Sequence, residues 1–263
     1  LNQALLGQPV VRTEDARFLT GRGRFVADLS LPGMVHAVFV RSTHAHAVIR
    51  SVATDAARHN PAVLAVLTAA DVAAAGLGTI PPLTAPAPWG GADAFFAARS
   101  LLATERVRHV GDAIAMVVAE TEAAALAAAE LVEVDYEPLA AVVDPVAAGS
   151  ETAPRIWPAA AGNVGFRRSY GDADAARRAI AGAPHTVTLR TTANRVTANS
   201  LEPRCAVGLH EGFAGRSTLY TSSQAPHRVR TQLALDVFRI PESSLRVVAP
   251  DVGGGFGMKG ACY

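Results

Sequence analysis

Gly253-Gly254-Gly255-Phe256-Gly257-Met258-Lys259-Gly260 follows the apolar run Leu245 to Ala249 with only Pro250, Asp251 and Val252 between them. Lacking Cβ atoms, clustered glycines can turn successive N–H groups toward an anion or a metal oxo group and let the backbone come within contact distance. Taken alone, the same residues also fit a tight turn. The surrounding sequence has to decide between the two.

Gly255, Gly257 and Gly260 satisfy the dinucleotide fingerprint literally, but that motif opens a strand-helix-strand unit with an acidic residue roughly 20 positions on. Only Ala261, Cys262 and Tyr263 follow. A Walker loop is excluded as well, because Met258 stands where glycine must precede the lysine. The loop fits neither nucleotide motif, so the tight turn and another anion-binding role both stay open until the other segments are read.

Working outward, apolar runs bounded by turn residues predict strands at Met34 to Arg41, Val48 to Val52 and Val63 to Thr68. Short helices are expected at Thr54 to His59, ended by Asn60-Pro61, and at Ala69 to Ala75, closed by Gly76. Pro81 to Gly91 concentrates Pro and Gly and reads as a loop. Ala113 to Ala119 is an apolar strand, after which Thr121 offers its oxygen to the first N–H groups of an alanine-rich helix reaching Glu130. Val132, Val134 and Tyr136 then alternate with Glu133, Asp135 and Glu137, so one face of that strand is buried and one is wet.

From Val146 to Gly165 the pattern dissolves into Ala, Gly and Pro around Trp157-Pro158, which places a domain boundary near residue 150 and divides the chain into 1–150 and 151–263. Beyond it the sequence predicts helices at Asp172 to Ala181 and Pro226 to Val237. Strands are expected at Thr186 to Thr192, Cys205 to Leu209, Ser217 to Thr221 and Leu245 to Ala249.

Half of the residues are apolar and 18% are charged, a balance that builds a core and argues against a disordered tail. A formal net charge of +1 provides no general attraction to nucleic acid or an anionic membrane. Lys259 is the sole lysine, and the arginines are scattered without a basic block. Cys205 and Cys262 are too few for a zinc site or a disulfide framework. With no membrane span and no signal-peptide pattern after Leu1-Asn2-Gln3, a cytoplasmic protein is expected, although the sequence lacks an initiator Met.

Gly-Gly-Gly-Phe-Gly, a variable residue and Lys259 resemble the cofactor loop of the molybdenum hydroxylases, the family of xanthine dehydrogenase, aldehyde oxidase and aerobic carbon monoxide dehydrogenase. Upstream, Ser222-Ser223-Gln224-Ala225-Pro226-His227 resembles the family segment whose glutamine contacts the molybdenum centre, and Leu201-Glu202-Pro203-Arg204 its Met/Leu-Glu-Pro-Arg signature. His36 to Ser42 and Val132 to Leu139 are similar to its hammerhead domain. The resemblance runs from about Gly7 to Tyr263, in the family's order, and corresponds to the amino-terminal part of the large subunit.

The resemblance implies an α+β fold: a hammerhead-like α/β domain followed by the first part of a mixed α/β molybdopterin-binding domain. It implies a molybdenum-bearing molybdopterin, as the cytosine dinucleotide form, and hydroxylation of aldehydes, N-heterocycles or carbon monoxide with water as oxygen source. Electrons would leave through iron-sulfur and FAD groups on partner subunits, in a dimer of heterotrimers completed by the remainder of the large subunit. Gln224 would donate to a molybdenum oxygen, and Gly254, Gly255, Phe256 and Gly257 would bind the cofactor, with no protein ligand to the metal. The family's base glutamate lies far downstream of the glycine loop, so the catalytic base is unknown and the chain is expected to be a fragment or one piece of a split subunit. The alternatives are a non-catalytic fragment or assembly module of the same fold and, behind it, a dinucleotide-binding oxidoreductase.

Three further residue sets admit functional readings. Glu202, followed by Pro203 and Arg204, is expected to make a structural ion pair or cap a strand and is not assigned to catalysis. His44 and His46 would share a face if extended, but without a third ligand nearby the structural reading is preferred. Cys262 lies close to the glycine loop, yet reads as a small buried hydrophobe.

Overall fold

The computed structural model describes residues 7–82, 95–167, 169–194 and 196–262. Most of the Pro81 to Gly91 loop, from residue 83 on, lies outside the described residues, as does Tyr263. The architecture is the expected α+β one, and by contacts the chain divides into two compact units, residues 33–197 with 235–239 and residues 1–32 with 198–234 and 240–263.

The 33–197 unit carries strands β1 (His36–Arg41), β2 (Ala47–Ala53), β3 (Val63–Thr68), β4 (Arg106–Val107), β5 (Ala113–Ala119) and β6 (Glu133–Pro138). They form two three-stranded antiparallel sheets, ordered β1-β5-β3 and β4-β2-β6. β5 is central to its sheet and is apolar throughout because it is covered on both faces. Ala115 and Val117 pack with Val66 of β3, Ala57, Ala128 and Val132, while Ile114 joins Ala47 and Val107 of the other sheet.

Local chemistry sets the helix starts in this unit. Thr121 Oγ1 accepts from Ala124 N–H at 3.1 Å and opens the helix Glu122–Ala129, which covers β1 and β5. The Asp71 carboxylate reaches back to Thr68 N–H at 2.7 Å and opens Ala69–Ala74. In β6, Val134 and Tyr136 are half-buried beside the second cluster, while Glu133 and Asp135 face water.

The expected strand at Thr186 to Thr192 is not formed. A strand needs a neighbour for its N–H and C=O groups, and among the described residues this segment pairs with none. It is exposed, with Val187 at 95% and Leu189 at 83% accessibility. The helix before it, Ala173–Ala181, forms as expected, capped by Asp172, whose side chain accepts from Ala175 N–H.

The other unit holds one three-stranded sheet, ordered β7-β8-β9. β7 (Ala206–Glu211) and β8 (Arg216–Thr221) form an antiparallel hairpin turned through Gly215, which takes a left-handed φ of +57°. β8 and β9 (Leu245–Val248) are parallel, so a crossover must join them. That crossover is the helix expected at Pro226 to Val237, but only Pro226–Thr231 is α-helical. Gln232–Phe238 widens to a π-helix, and Val237 C=O accepts from Gly78 N–H at 2.8 Å.

Candidate functional site

The sheet β7-β8-β9 brings the motifs together. Ligand sites of open α/β sheets lie outside the carboxyl ends of parallel strands. Ser222 to Gln224 leave the end of β8, and the glycine loop follows β9. Because β7 runs antiparallel to β8, with Ala206 opposite Thr221, Leu201 to Arg204 arrive at the same edge.

Lys259 closes these segments onto one another. Its side chain is buried, and Nζ donates to Glu202 C=O at 2.8 Å, Glu202 Oε2 at 3.0 Å and Ser222 Oγ at 2.7 Å. An ammonium has three protons to place, and each finds an acceptor. Glu202 Oε2 also accepts from Ser222 Oγ at 2.5 Å and from Gly253 N–H at 2.7 Å, while Oε1 is buried without a partner among the described residues. Burial alone would raise the Glu202 carboxyl. The hydrogen bonds from Ser222, Gly253 and Lys259, with the charge of Lys259, outweigh it and hold the group below its ordinary value. Glu202 thus makes the structural ion pair expected of it, with Lys259 as partner.

The backbone of Lys259 engages Gln224 in both directions. Gln224 N–H donates to Lys259 C=O at 2.8 Å, and Lys259 N–H donates to Gln224 Oε1 at 3.3 Å. Ser223 Oγ also donates to Lys259 C=O, at 3.2 Å. Gln224 itself is exposed. With Oε1 engaged inward, its Nε2 is left as an outward donor.

The glycines serve two purposes. A Cβ on Gly253 would lie 2.4 Å from Glu202 Cβ, and one on Gly255 would lie 2.4 Å from Gln224 Cδ, so these positions make room for the two side chains. Gly254 and Gly257 instead take positive φ, +102° and +82°. Phe256 also has a positive φ, 45°, and its ring is 74% exposed beside Gly254. The N–H groups of Gly254, Gly255, Phe256 and Gly257 meet no acceptor among the described residues, in contrast to those of Gly253, Met258 and Lys259. The loop and Gln224 therefore bring together an exposed carboxamide, an exposed aromatic ring and a run of backbone donors without acceptors among the described residues, a combination suited to an anionic or oxo-bearing group.

The remaining candidates lie elsewhere. His46 is buried and donates Nδ1–H to Ala140 C=O at 2.9 Å, while the His44 ring lies tilted against that of Tyr136 with centroids 4.5 Å apart, so the histidines pack separately. Among the described residues no group of three or more His, Cys, Asp or Glu could hold a metal ion. Cys262 is half-buried, with its N–H on Gln232 Oε1 and Sγ directed to Val229 C=O at 3.8 Å.

Sequence reasoning missed the roles of Ser222 and Lys259 and the anchoring of Asp251 by Arg17 and Arg24. One signal was present for Lys259: it is lysine in a chain whose other basic positions are all arginine. A compact ammonium fits a small cage of acceptors that a planar guanidinium would overfill.

Comparison with known proteins gives matches along most of the chain. The aldehyde oxidase and xanthine dehydrogenase a/b hammerhead domain matches residues 20–140, and the molybdopterin cofactor-binding domain matches residues 156–263. The carbon monoxide dehydrogenase large chain of Afipia carboxidovorans is 38% identical over 96% of this chain and 31% of its own length. The nicotine 6-hydroxylase large subunit of Paenarthrobacter nicotinovorans is 38% identical over 98% of this chain, again 31% of its own length. Among solved structures, quinoline 2-oxidoreductase from Pseudomonas putida 86 superposes with a TM-score of 0.85 at 38% identity, covering 95% of this chain and 31% of that one. The chain thus spans about a third of the length of these relatives.

Proposed function

Since the chain belongs to the aldehyde oxidase and xanthine dehydrogenase family and carries its hammerhead and molybdopterin-binding domains, we propose that it serves as the molybdenum-cofactor-binding part of a hydroxylase acting on an aldehyde, an N-heterocycle or carbon monoxide. One observation carries this reading: the exposed Gln224 packs against Gly255 of the glycine loop, whose N–H groups at residues 254–257 meet no acceptor among the described residues, and the Lys259 backbone joins the two segments.

The residues fit the cofactor. Gln224 Nε2 and the backbone donors of Gly254, Gly255, Phe256 and Gly257 would hold oxygen atoms at the metal, and the Phe256 ring would cover one side. When bound, the cofactor supplies the redox chemistry of hydroxylation. The chain's own contribution is to present donors that are already fixed, so no reorganisation is needed as charge develops. Asp251 does not serve as a base, because Arg17 and Arg24 occupy its carboxylate. The catalytic base is assigned to no residue of this chain.

The cytosine dinucleotide form of the cofactor, and iron-sulfur and FAD partner subunits, complete the proposal. Support for partners comes from relatives named as a large chain and as a subunit of a dehydrogenase complex. Among the described residues no helix is long and apolar enough to cross a membrane. We propose the domain boundary near residue 150 on the interval between the two family matches, while by contacts residues 151–197 stay with the 33–197 unit.

The test is metal and pterin analysis of the complex purified with this chain, followed by assays with aldehydes, purines, other N-heterocycles and carbon monoxide. Stoichiometric molybdenum and turnover with one of these classes are expected. A complex free of molybdenum and pterin would instead favour a non-catalytic assembly module.

A further inference from the structure

We propose that Lys259 is a positioning residue for Gln224, fixing the outward face of that carboxamide as a hydrogen-bond donor so that the ligand atom meeting it must be an acceptor. The proposal rests on the cofactor reading only for what Gln224 faces; the coupling between the two residues stands on geometry within the chain.

The ammonium of Lys259 is fully engaged by Glu202 C=O, Glu202 Oε2 and Ser222 Oγ. A buried lysine with all its protons placed holds its four-carbon stem still, and with it the peptide units on either side. Those peptide units touch Gln224 twice, through Lys259 N–H on Oε1 and Lys259 C=O on Gln224 N–H. An amide can rotate to present either its oxygen or its NH₂ group, and the contact it makes on one side decides what it offers on the other. Here the inner contact is a backbone N–H, which only the oxygen can accept. The glycine at position 255 completes the arrangement, since a side chain there would occupy the space of the Gln224 carboxamide.

Glu202 is the second half of the device. Its unpaired Oε1 means that Glu202→Gln can place the new NH₂ group there and keep the remaining oxygen for Ser222, Gly253 and Lys259. That substitution removes the charge while preserving the acceptor, whereas Lys259→Met removes the clamp itself.

Because peptide mass spectrometry isolates the peptide carrying Lys259, the one lysine of this sequence, amine acylation of the folded full chain reports on it directly. Reaction slowed on the order of a hundredfold relative to the urea-unfolded chain is expected, with faster reaction in Ser222→Ala. Hydrogen exchange then gives the direction of coupling. Gln224→Ala should speed exchange of the Lys259 N–H while leaving the amine protected; Lys259→Met should speed exchange at both 224 and 259. If Lys259→Met does not fold, Glu202→Gln and Ser222→Ala carry the same test with smaller changes. Acylation of the folded chain at the unfolded rate would overturn the proposal, as would unchanged exchange at residue 224 in every variant.

A readout in the complex ties the coupling to the ligand. If Lys259 acts through Gln224, adding Lys259→Met to Gln224→Ala should lower kcat of the molybdenum-loaded complex little further than the more severe single variant does. Multiplied losses would show an unrelated structural role and overturn the assignment. Failure of the cofactor reading is separately visible, as an absence of molybdenum from the unaltered complex while acylation and exchange follow the expected pattern.

Discussion

Arg17 holds both carboxylate oxygens of Asp251, with Nη2 donating to Oδ1 at 2.7 Å and Nη1 to Oδ2, across 234 positions of sequence. Arg24 N–H donates to the same carboxylate at 2.7 Å, and Asp251 N–H returns a bond to Arg24 C=O at 3.0 Å. An early segment of the chain is thereby pinned to the connection between β9 and the glycine loop. The side-chain hydrogen bond from Arg17, then the Arg24 N–H, brings the Asp251 carboxyl from 3.8 down to about 2.

The sign of the pH effect follows from that depression. A carboxylate whose folded value is lowered contributes stability that is fully present above its unfolded value and lost as pH falls through the folded one. The melting temperature of Asp251→Asn should therefore lie below that of the unaltered chain above pH 3.8, and the gap should narrow as pH falls toward about 2. Circular-dichroism melts across that interval read the difference directly, and a gap independent of pH would exclude the linkage.

Gly255→Val and Gly257→Val should both lower molybdenum retention in the complex, for different reasons. At 255 the added Cβ would meet Gln224 Cδ at 2.4 Å, so the carboxamide must move. At 257 nothing lies within 4 Å of the added Cβ, but φ is +82°, a conformation that a β-branched residue strongly resists. Gly257→Ala should accordingly be milder than Gly257→Val, whereas Gly255→Ala should already displace Gln224. Metal analysis of the purified variants would show full occupancy in both valine variants if the loop does not face the cofactor.

Gln224→Ala is expected to keep most of its metal and lose turnover, because it removes a donor without filling the site. Loss of one preorganised donor costs about 2.7–4 kcal/mol of transition-state stabilisation in well-studied enzymes, or about 10²–10³-fold in kcat. A fall confined to KM, with kcat unchanged, would place Gln224 in substrate binding instead.

Limited proteolysis tests the proposed division of the chain. Asn163 ties down the segment after the boundary, accepting from Ile156 N–H at 2.9 Å and donating to Ala148 and Pro154 C=O, and the Arg108 guanidinium lies 3.6 Å over the Trp157 ring. Early cuts are therefore expected between 141 and 153, where Val143 and Val146 are exposed, and in the unpaired stretch 183–194. First cuts within Ala113 to Leu139 would show that the boundary is misplaced.

Much of the secondary structure was legible because its causes are local. Val63 to Thr68 and Ala113 to Ala119 have the bounds their apolar runs predict, and the Thr121 cap binds the N–H three residues on. The Glu133–Pro138 alternation likewise needs only the two-residue period of a strand. Thr186 to Thr192 carries an equally good strand pattern and forms none, since pairing depends on a neighbour that no local pattern supplies. Pro226 to Val237 reads as one α-helix, but its last turns widen to a π-helix with Val237 C=O meeting Gly78, which sequence places far away.

For the candidate site, the sequence by itself determined the cast: a glycine cluster after a strand, Gln224 before Pro226, Glu202 before Pro203, and a single lysine. Tertiary structure decided what each does. The parallel pairing of β8 with β9 and the antiparallel return of β7 bring the motifs to one edge, and Lys259 meets Glu202 across 57 positions. Chemical type is a property of each residue and can be read in order along the chain. Which buried donor meets which acceptor depends on how the sheet closes, and that is set by contacts between residues remote in sequence.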